Sequence, residues 1–263
     1  MSDLGSMSRR ACLATIGSLT VAGRLVAAES PSPDRLKESA ARGRQFLVGL
    51  LDPTLDLLPE FRGSSVYWLY HDNYLAAKVL EKSHPGLARK IVKAIHGFDV
   101  KESGKIEIVF GEAKRPLPFR HYQLVDVRRL GGKVIKTEIV TDKEMVGWEG
   151  YADLLLLAAL AEKDVPKAKR HFQQALQMWD GKGFKDRAAQ AGSVYATYKL
   201  ALALIAARKL NERPEAIVIV LERLLAQQAK DGGWITDYDR TGKPVGVANV
   251  ETTSLAMLAV EGR

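Results

Sequence analysis

Gln228-Ala229-Lys230-Asp231-Gly232-Gly233-Trp234, followed by Asn249-Val250-Glu251-Thr252-Thr253-Ser254-Leu255-Ala256, is the stretch of this 263-residue chain that decides its fold. The first piece reads as a helix end, a glycine turn and an aromatic plug. The second reads as a polar helix start running into an Ala/Leu-rich run. Gln177 with Gly181-Lys182-Gly183-Phe184-Lys185-Asp186 repeats the turn and plug, and Val194-Tyr195-Ala196-Thr197-Tyr198-Lys199-Leu200-Ala201 repeats the helix start. Starts with the same grammar stand at Trp68-Leu69-Tyr70-His71-Asp72-Asn73-Tyr74 and at Trp148-Glu149-Gly150-Tyr151-Ala152-Asp153. Recurrence of one helix–turn–helix unit is the mark of a repeat architecture, in which neighbouring units bury one another's apolar faces.

Outward from these units the chain reads as mostly α. Apolar residues recur at helical spacing over residues 34–51, 87–96, 149–163, 166–179, 193–210, 213–230 and 249–260, and an aromatic approach at 66–74 leads into a helix ending near Leu80. Several of these runs are apolar on more than one face, which suits helices buried in a two-layer arrangement. Between Lys105 and Val140 the period changes: Ile106, Ile108 and Phe110 alternate, and Gly131-Gly132 separates two β-rich runs. A β insertion at about residues 105–140 therefore interrupts a helical chain.

The N-terminus has a separate role. Ser8-Arg9-Arg10-Ala11-Cys12-Leu13 opens an apolar stretch that runs to Gly23, and Val26-Ala27-Ala28 precedes Glu29. A basic start, an apolar core and small residues at a cleavage point make residues 1–28 an export signal of the twin-arginine kind. The apolar stretch is well short of the roughly 20 residues that a spanning helix needs, so no stable membrane span is expected. Residues 29–263 then form one domain, exported to the periplasm or beyond. Losing the signal removes Arg9, Arg10, Arg24 and Asp3 from a chain of formal charge +8, leaving a surplus of six. That surplus favours anionic partners in general, but the charges are interleaved rather than clustered, which argues against a nucleic-acid surface. The single cysteine, Cys12, lies inside the signal. A disulfide, a thiol nucleophile and cysteine-ligated zinc are thereby excluded from the mature domain.

The Gln228 to Trp234 motif, with the helix start after Asn249, resembles the Q-x-x-x-G-x-W repeat of the terpenoid-cyclase-like α/α toroids. The similarity is specific over residues 170–260. It implies inner helices whose N-terminal ends gather around a cavity. Polyprenyl cyclase chemistry is not implied, because the D-x-D-D acid is missing and Asp237-Tyr238-Asp239-Arg240 echoes it only in part. The segment around Trp68 and Asp72-Asn73 resembles instead the inner-helix starts of six-hairpin glycosidase-like enzymes. With fewer helices than a full ring requires, the expected architecture is an incomplete or reduced α/α toroid carrying a small β-hairpin insertion.

Asp72 and Asn73 precede a helical run, where they serve either as caps for unpaired amides or, at a positive helix end, as acid–base and binding groups. Trp68, Tyr70 and Tyr74 beside them offer stacking surfaces for a sugar ring. Glu149 and Asp153 are four apart on one helical face, which makes them either a dipole-stabilised first turn or a source of the second carboxylate that glycoside hydrolysis needs. Glu251 has the same ambiguity. His71, His121 and Tyr122, with Asn73, Arg115 and Arg120 as partners for a carboxylate, fit a uronate lyase, and the insertion's eight basic against four acidic residues lean toward an anionic ligand. No histidine pair has metal-ligand spacing, so neither a metal nor a cofactor is assigned. The expected function is that of an exported carbohydrate-active protein, a glycoside hydrolase or uronate lyase, binding an oligosaccharide or other anionic small ligand. A non-catalytic scaffold and a reduced isoprenoid-binding toroid are the alternatives.

Overall fold

A computed structural model describes residues 31–100, 103, 105–192 and 194–262; the export signal expected at residues 1–28 lies outside them. The chain is mostly helical with two small sheets. It runs α1 (Pro33–Val48), β1 (Val66–Trp68), a π-helical turn (Leu69–Tyr74), α2 (Leu75–Leu80), α3 (Pro85–His96), a 3-10 turn (Ile106–Phe110), then β2 (Arg120–Leu130) and β3 (Lys133–Glu144). There follow α4 (Ala152–Ala161), α5 (Val165–Gln177), α6 (Arg187–Gly192), β4 (Tyr195–Ala196), α7 (Thr197–Lys209), α8 (Glu215–Ala226), β5 (Trp234–Tyr238), β6 (Pro244–Asn249) and α9 (Val250–Glu261). Among the described residues no helix is long and apolar enough to cross a membrane.

Burial sorts the helices into two layers. From Ala152 to Leu160 every side chain of α4 is buried, and α7 and α9 are buried on nearly all sides. By contrast α3, α5 and α8 bury a single stripe each, for example Ala88, Ile91 and Ile95 in α3. Helices apolar all round must be enclosed, and those with one apolar stripe must cover them. Accordingly α2, α9, α7 and α4 pack side by side in that order as an inner row, while α3 lies on α2, α1 on α9, α8 on α7 and α5 on α4.

Local chemistry sets the helix starts. Ser32 caps α1 by accepting from the Arg35 amide at 3.3 Å, Asp164 caps α5 through Lys167, and Asn249 caps α9 through the Thr252 amide at 2.9 Å. The cap of α4 comes from elsewhere in the chain: the Ala152 amide donates to Asp186 at 2.9 Å.

The two glycine–aromatic turns are structural equivalents. Trp179 bridges Phe184 after α5 and Gln228 bridges Trp234 after α8, each across a positive-φ glycine, Gly181 and Gly232. Lys185 donates to the Met178 carbonyl just as Ile235 donates to that of Gln227. Both plugs are buried, Phe184 to 2% exposure and Trp234 to 0%.

Several local expectations are corrected. Ile106, Ile108 and Phe110 form a 3-10 turn rather than a strand, because the Glu107 carboxylate accepts from the Ser103 amide and hydroxyl at 2.7 and 2.8 Å and winds the segment. Helix α4 begins at Ala152, after a separate 3-10 turn at Trp148–Gly150. Helix α7 begins at Thr197, after β4 has paired with β5. The linker between Trp234 and Asn249 is a β-hairpin. Pairing across the chain, invisible to helical periodicity, set each of these boundaries.

The insertion's hairpin joins β1 in a three-stranded sheet ordered β1-β3-β2, with β1 parallel and β2 antiparallel to β3. Tyr67, Ile135 and Thr137 are buried on one face. The other face carries Trp68, Lys136, Glu138 and Val140 in alternation, and it borders the site described next.

Candidate functional site

At the N-terminal ends of α4, α7 and α9 the residue in second position is Asp153, Tyr198 and Glu251 respectively. These side chains, with His71 from the π-helical turn, Lys105 and Ile106 from the 3-10 turn, and Glu138 from β3, line one cavity of about 220 Å³. Its floor is Leu157, Leu202 and Leu255, each four residues further along its own helix. A common register therefore places a polar group on the rim and a leucine one turn below it, three times over. The helix N-termini that surround the cavity favour negative charge there.

Around the rim the inner-helix order gives His71, Glu251, Tyr198 and Asp153, and Lys105 lies on the side where the 3-10 turn packs against α4. His71 bridges two carboxylates. Its Nε2 is 2.9 Å from Glu138 Oε2, off the line of a well-formed hydrogen bond, and its Nδ1 is 3.5 Å from Glu251 Oε1. Burial opposes a charge on this ring, but Glu138 and then Glu251 outweigh it and raise His71 to about 9. Burial likewise opposes ionisation of Glu138, yet the His71 charge holds it below the usual carboxylate range. At neutral pH the arc holds an imidazolium between two acids.

Across the cavity, Tyr198 donates to Asp153 Oδ2 at 3.1 Å, and Lys199 Nζ stands 3.6 Å from Asp153 Oδ1. Lys199 is itself buried against Asp186, the group that caps α4. Burial and the neighbouring Asp153 charge push the Tyr198 phenol well above its ordinary value.

Asp72 and Asn73 do not cap the helix they precede. Asn73 spends its amide on the backbone: Oδ1 accepts from Leu58 at 2.7 Å, and Nδ2 donates to the Leu58 and Trp68 carbonyls at 3.0 and 2.8 Å. Asp72 accepts the backbone amide of Glu251 and so ties the π-helical turn to the start of α9. Its Oδ2 is buried without a hydrogen-bond partner. Burial, followed by the charges of Glu251 and Glu60, raises its carboxyl well above the usual range. Glu60 is raised by burial and by Glu251, and it accepts a hydrogen bond from Trp68.

The remaining expected residues are scattered. Glu149 is exposed on the 3-10 turn before α4 and does not line the cavity. Tyr70 donates to the Val100 carbonyl at 3.0 Å, and Tyr74 bonds Glu112 in a different groove. Arg120 faces Asp142 at 3.6 Å. Tyr122 sits by the site, under Lys105 at 5.6 Å, and burial followed by the Glu138 charge raises its phenol. Three rim residues were not anticipated: Glu138, Lys105 and Tyr198. Tyr198 comes level with Asp153 and Glu251 only once α7 is seen to begin at Thr197, and Glu138 and Lys105 had no local signal. Among the described residues no group of three or more His, Cys, Asp or Glu side chains is placed to hold a metal ion.

Comparison of the chain with family models, curated proteins and solved structures returned no match.

Proposed function

We propose that this is an exported carbohydrate-active hydrolase of reduced α/α-toroid architecture, working at the rim where the inner helices begin. One observation carries the reading: second-position residues of α4, α7 and α9 converge with His71 and Glu138 on a single small cavity. Carboxylates stand on both arcs of it, Glu138 and Glu251 with His71 on one, Asp153 with Tyr198 on the other. Glycoside hydrolysis needs such a pair, one acid to protonate the leaving oxygen and one carboxylate to attack or to activate water. We assign Glu251 and Asp153 to these two roles, with His71 as the positioning residue for Glu251.

The lyase form of the reading has less support. A lyase base must be unprotonated, whereas His71 is held as imidazolium and Tyr198 as phenol. Arg120 and Asn73, the groups suited to neutralise a uronate, are engaged elsewhere. An isoprenoid site calls for apolar walls, and this rim is charged.

The test is hydrolysis of a panel of neutral and uronic oligosaccharides by the mature protein, with Glu251→Gln and Asp153→Asn. Each variant is expected to lose at least 100-fold in kcat while keeping its melting temperature. Unchanged turnover in both, or no turnover of any substrate by the parent, returns the protein to the scaffold reading. Export is tested separately: Arg9→Lys with Arg10→Lys should leave unprocessed precursor in the cytoplasm, and normal processing rejects the twin-arginine route.

A further inference from the structure

We propose that the cavity-side face of the β2–β3 hairpin binds an apolar aglycone, so that the substrates are glycosides of hydrophobic alcohols. The inference rests on the hydrolase reading and adds the substrate class. It starts from size. The cavity of about 220 Å³ is smaller than the roughly 300–1,000 Å³ of pockets that enclose a whole drug-sized ligand. It accommodates one sugar unit, and whatever the sugar is joined to must lie outside.

Strand register identifies the surface that continues from the cavity. Glu138, which lines it, pairs across the ladder with Leu124, and the next position on the same face pairs Val140 with Tyr122. Side chains opposite one another in neighbouring strands share a face. Leu124 is 61% exposed and Val140 39%, so the face runs from a charged rim onto uncovered aliphatic surface within one pleat repeat. A second sugar would call for flat aromatic faces and hydrogen-bonding groups. Leu124 and Val140 provide neither, and both gain by covering with hydrocarbon. Both aromatic rings of this face are already occupied, Tyr122 by Lys105 over its ring at 5.6 Å, and Trp68 by Glu60 at its indole N–H and by Lys136 over its ring at 5.6 Å.

The experiment compares methyl and octyl glycosides of glucose, galactose, mannose and N-acetylglucosamine, below micelle-forming concentrations. Binding is read by calorimetry and hydrolysis by released sugar, for the parent and for Leu124→Ser combined with Val140→Ser. For the accepted sugar the octyl glycoside should bind at least tenfold more tightly than the methyl glycoside. In the double variant that advantage should fall below threefold while the methyl glycoside is bound and hydrolysed as before. Equal use of methyl and octyl glycosides by the parent overturns the aglycone surface and leaves the hydrolase standing. An octyl advantage that survives the double substitution also overturns it. Failure to bind or hydrolyse any pair removes both readings. If light scattering finds a parent dimer that the double variant dissociates, the face belongs to a second copy of the chain and the proposal falls.

Discussion

The turn after α5 and the turn after α8 are built from the same local grammar, yet they sit in different surroundings. Gly181 has φ +87 and a Cβ there would meet nothing within 4 Å. Gly232 has φ +95 and a Cβ there would stand 2.4 Å from the Arg42 carbonyl oxygen in α1. The second turn is docked onto α1 throughout: Gln228 donates to the Ser39 carbonyl at 2.8 Å and Arg42 to the Ala229 carbonyl at 2.6 Å. The plugs differ in the same way. Phe184 meets Trp179 edge-on at 5.5 Å, whereas Trp234 also donates its indole N–H to the Leu224 carbonyl and its backbone N–H to Thr253. A repeat therefore transmits a conformation from unit to unit, but the energy resting on each copy is set by what packs over it.

The sharpest way to break this comparison is to remove the plugs. Trp234→Ala should cost about 4–5 kcal/mol and Phe184→Ala about 3, since both leave cavities and the indole leaves the larger one. Chemical denaturation decides, and losses under about 1 kcal/mol for both would dissolve the repeat. Next come the glycines. Gly232→Ala must shift the α1 backbone as well as hold alanine at positive φ, an expected loss of about 3 kcal/mol, against about 1 for Gly181→Ala. Equal losses would mean that docking on α1 adds nothing.

The same contrast between local pattern and surroundings extends to the cavity, where pH reads it. His71 is raised in the fold to about 9 from an ordinary 6.5, so its stabilisation is whole below about pH 6.5 and is lost as pH rises through about 9. His71→Gln should remove that slope, an effect of the order of 2–3 kcal/mol in denaturation midpoints followed from pH 6 to 10. A slope that persists in the variant would place the titration elsewhere.

Asp72 has the same sign in a lower pH window, but its cause is a disfavoured charge rather than a favoured one. Its raised value means that the fold holds the neutral acid, so stability is whole below its ordinary 3.8 and erodes as pH climbs toward the raised value. Asp72→Asn keeps an acceptor for the Glu251 amide and removes the buried charge. A gain of about 1 kcal/mol at pH 8, vanishing near pH 4, is expected. A loss at pH 8 would mean that the ionised carboxylate is what ties the π-helical turn to α9.

The sequence alone determined the helical repeat, the two buried plugs, the presence of the β insertion and the polar character of the inner-helix starts. These follow from spacing within a dozen residues, where side-chain direction along a helix or strand is fixed by backbone geometry. The level at which Asp153, Tyr198 and Glu251 stand, each second in its helix, came with helix boundaries that pairing across the chain set. Tertiary structure alone decided that these starts share one rim, that Glu138 and Lys105 join them, and that Glu149 and Tyr74 do not. It also decided that Asp72 serves α9 rather than its own helix, and that Asn73 is consumed by the backbone of Leu58 and Trp68. Each of those outcomes depends on which distant segment arrives with an unpaired amide, a carbonyl or a charge. The periodicity of a single segment does not encode that, because packing between layers brings those partners together.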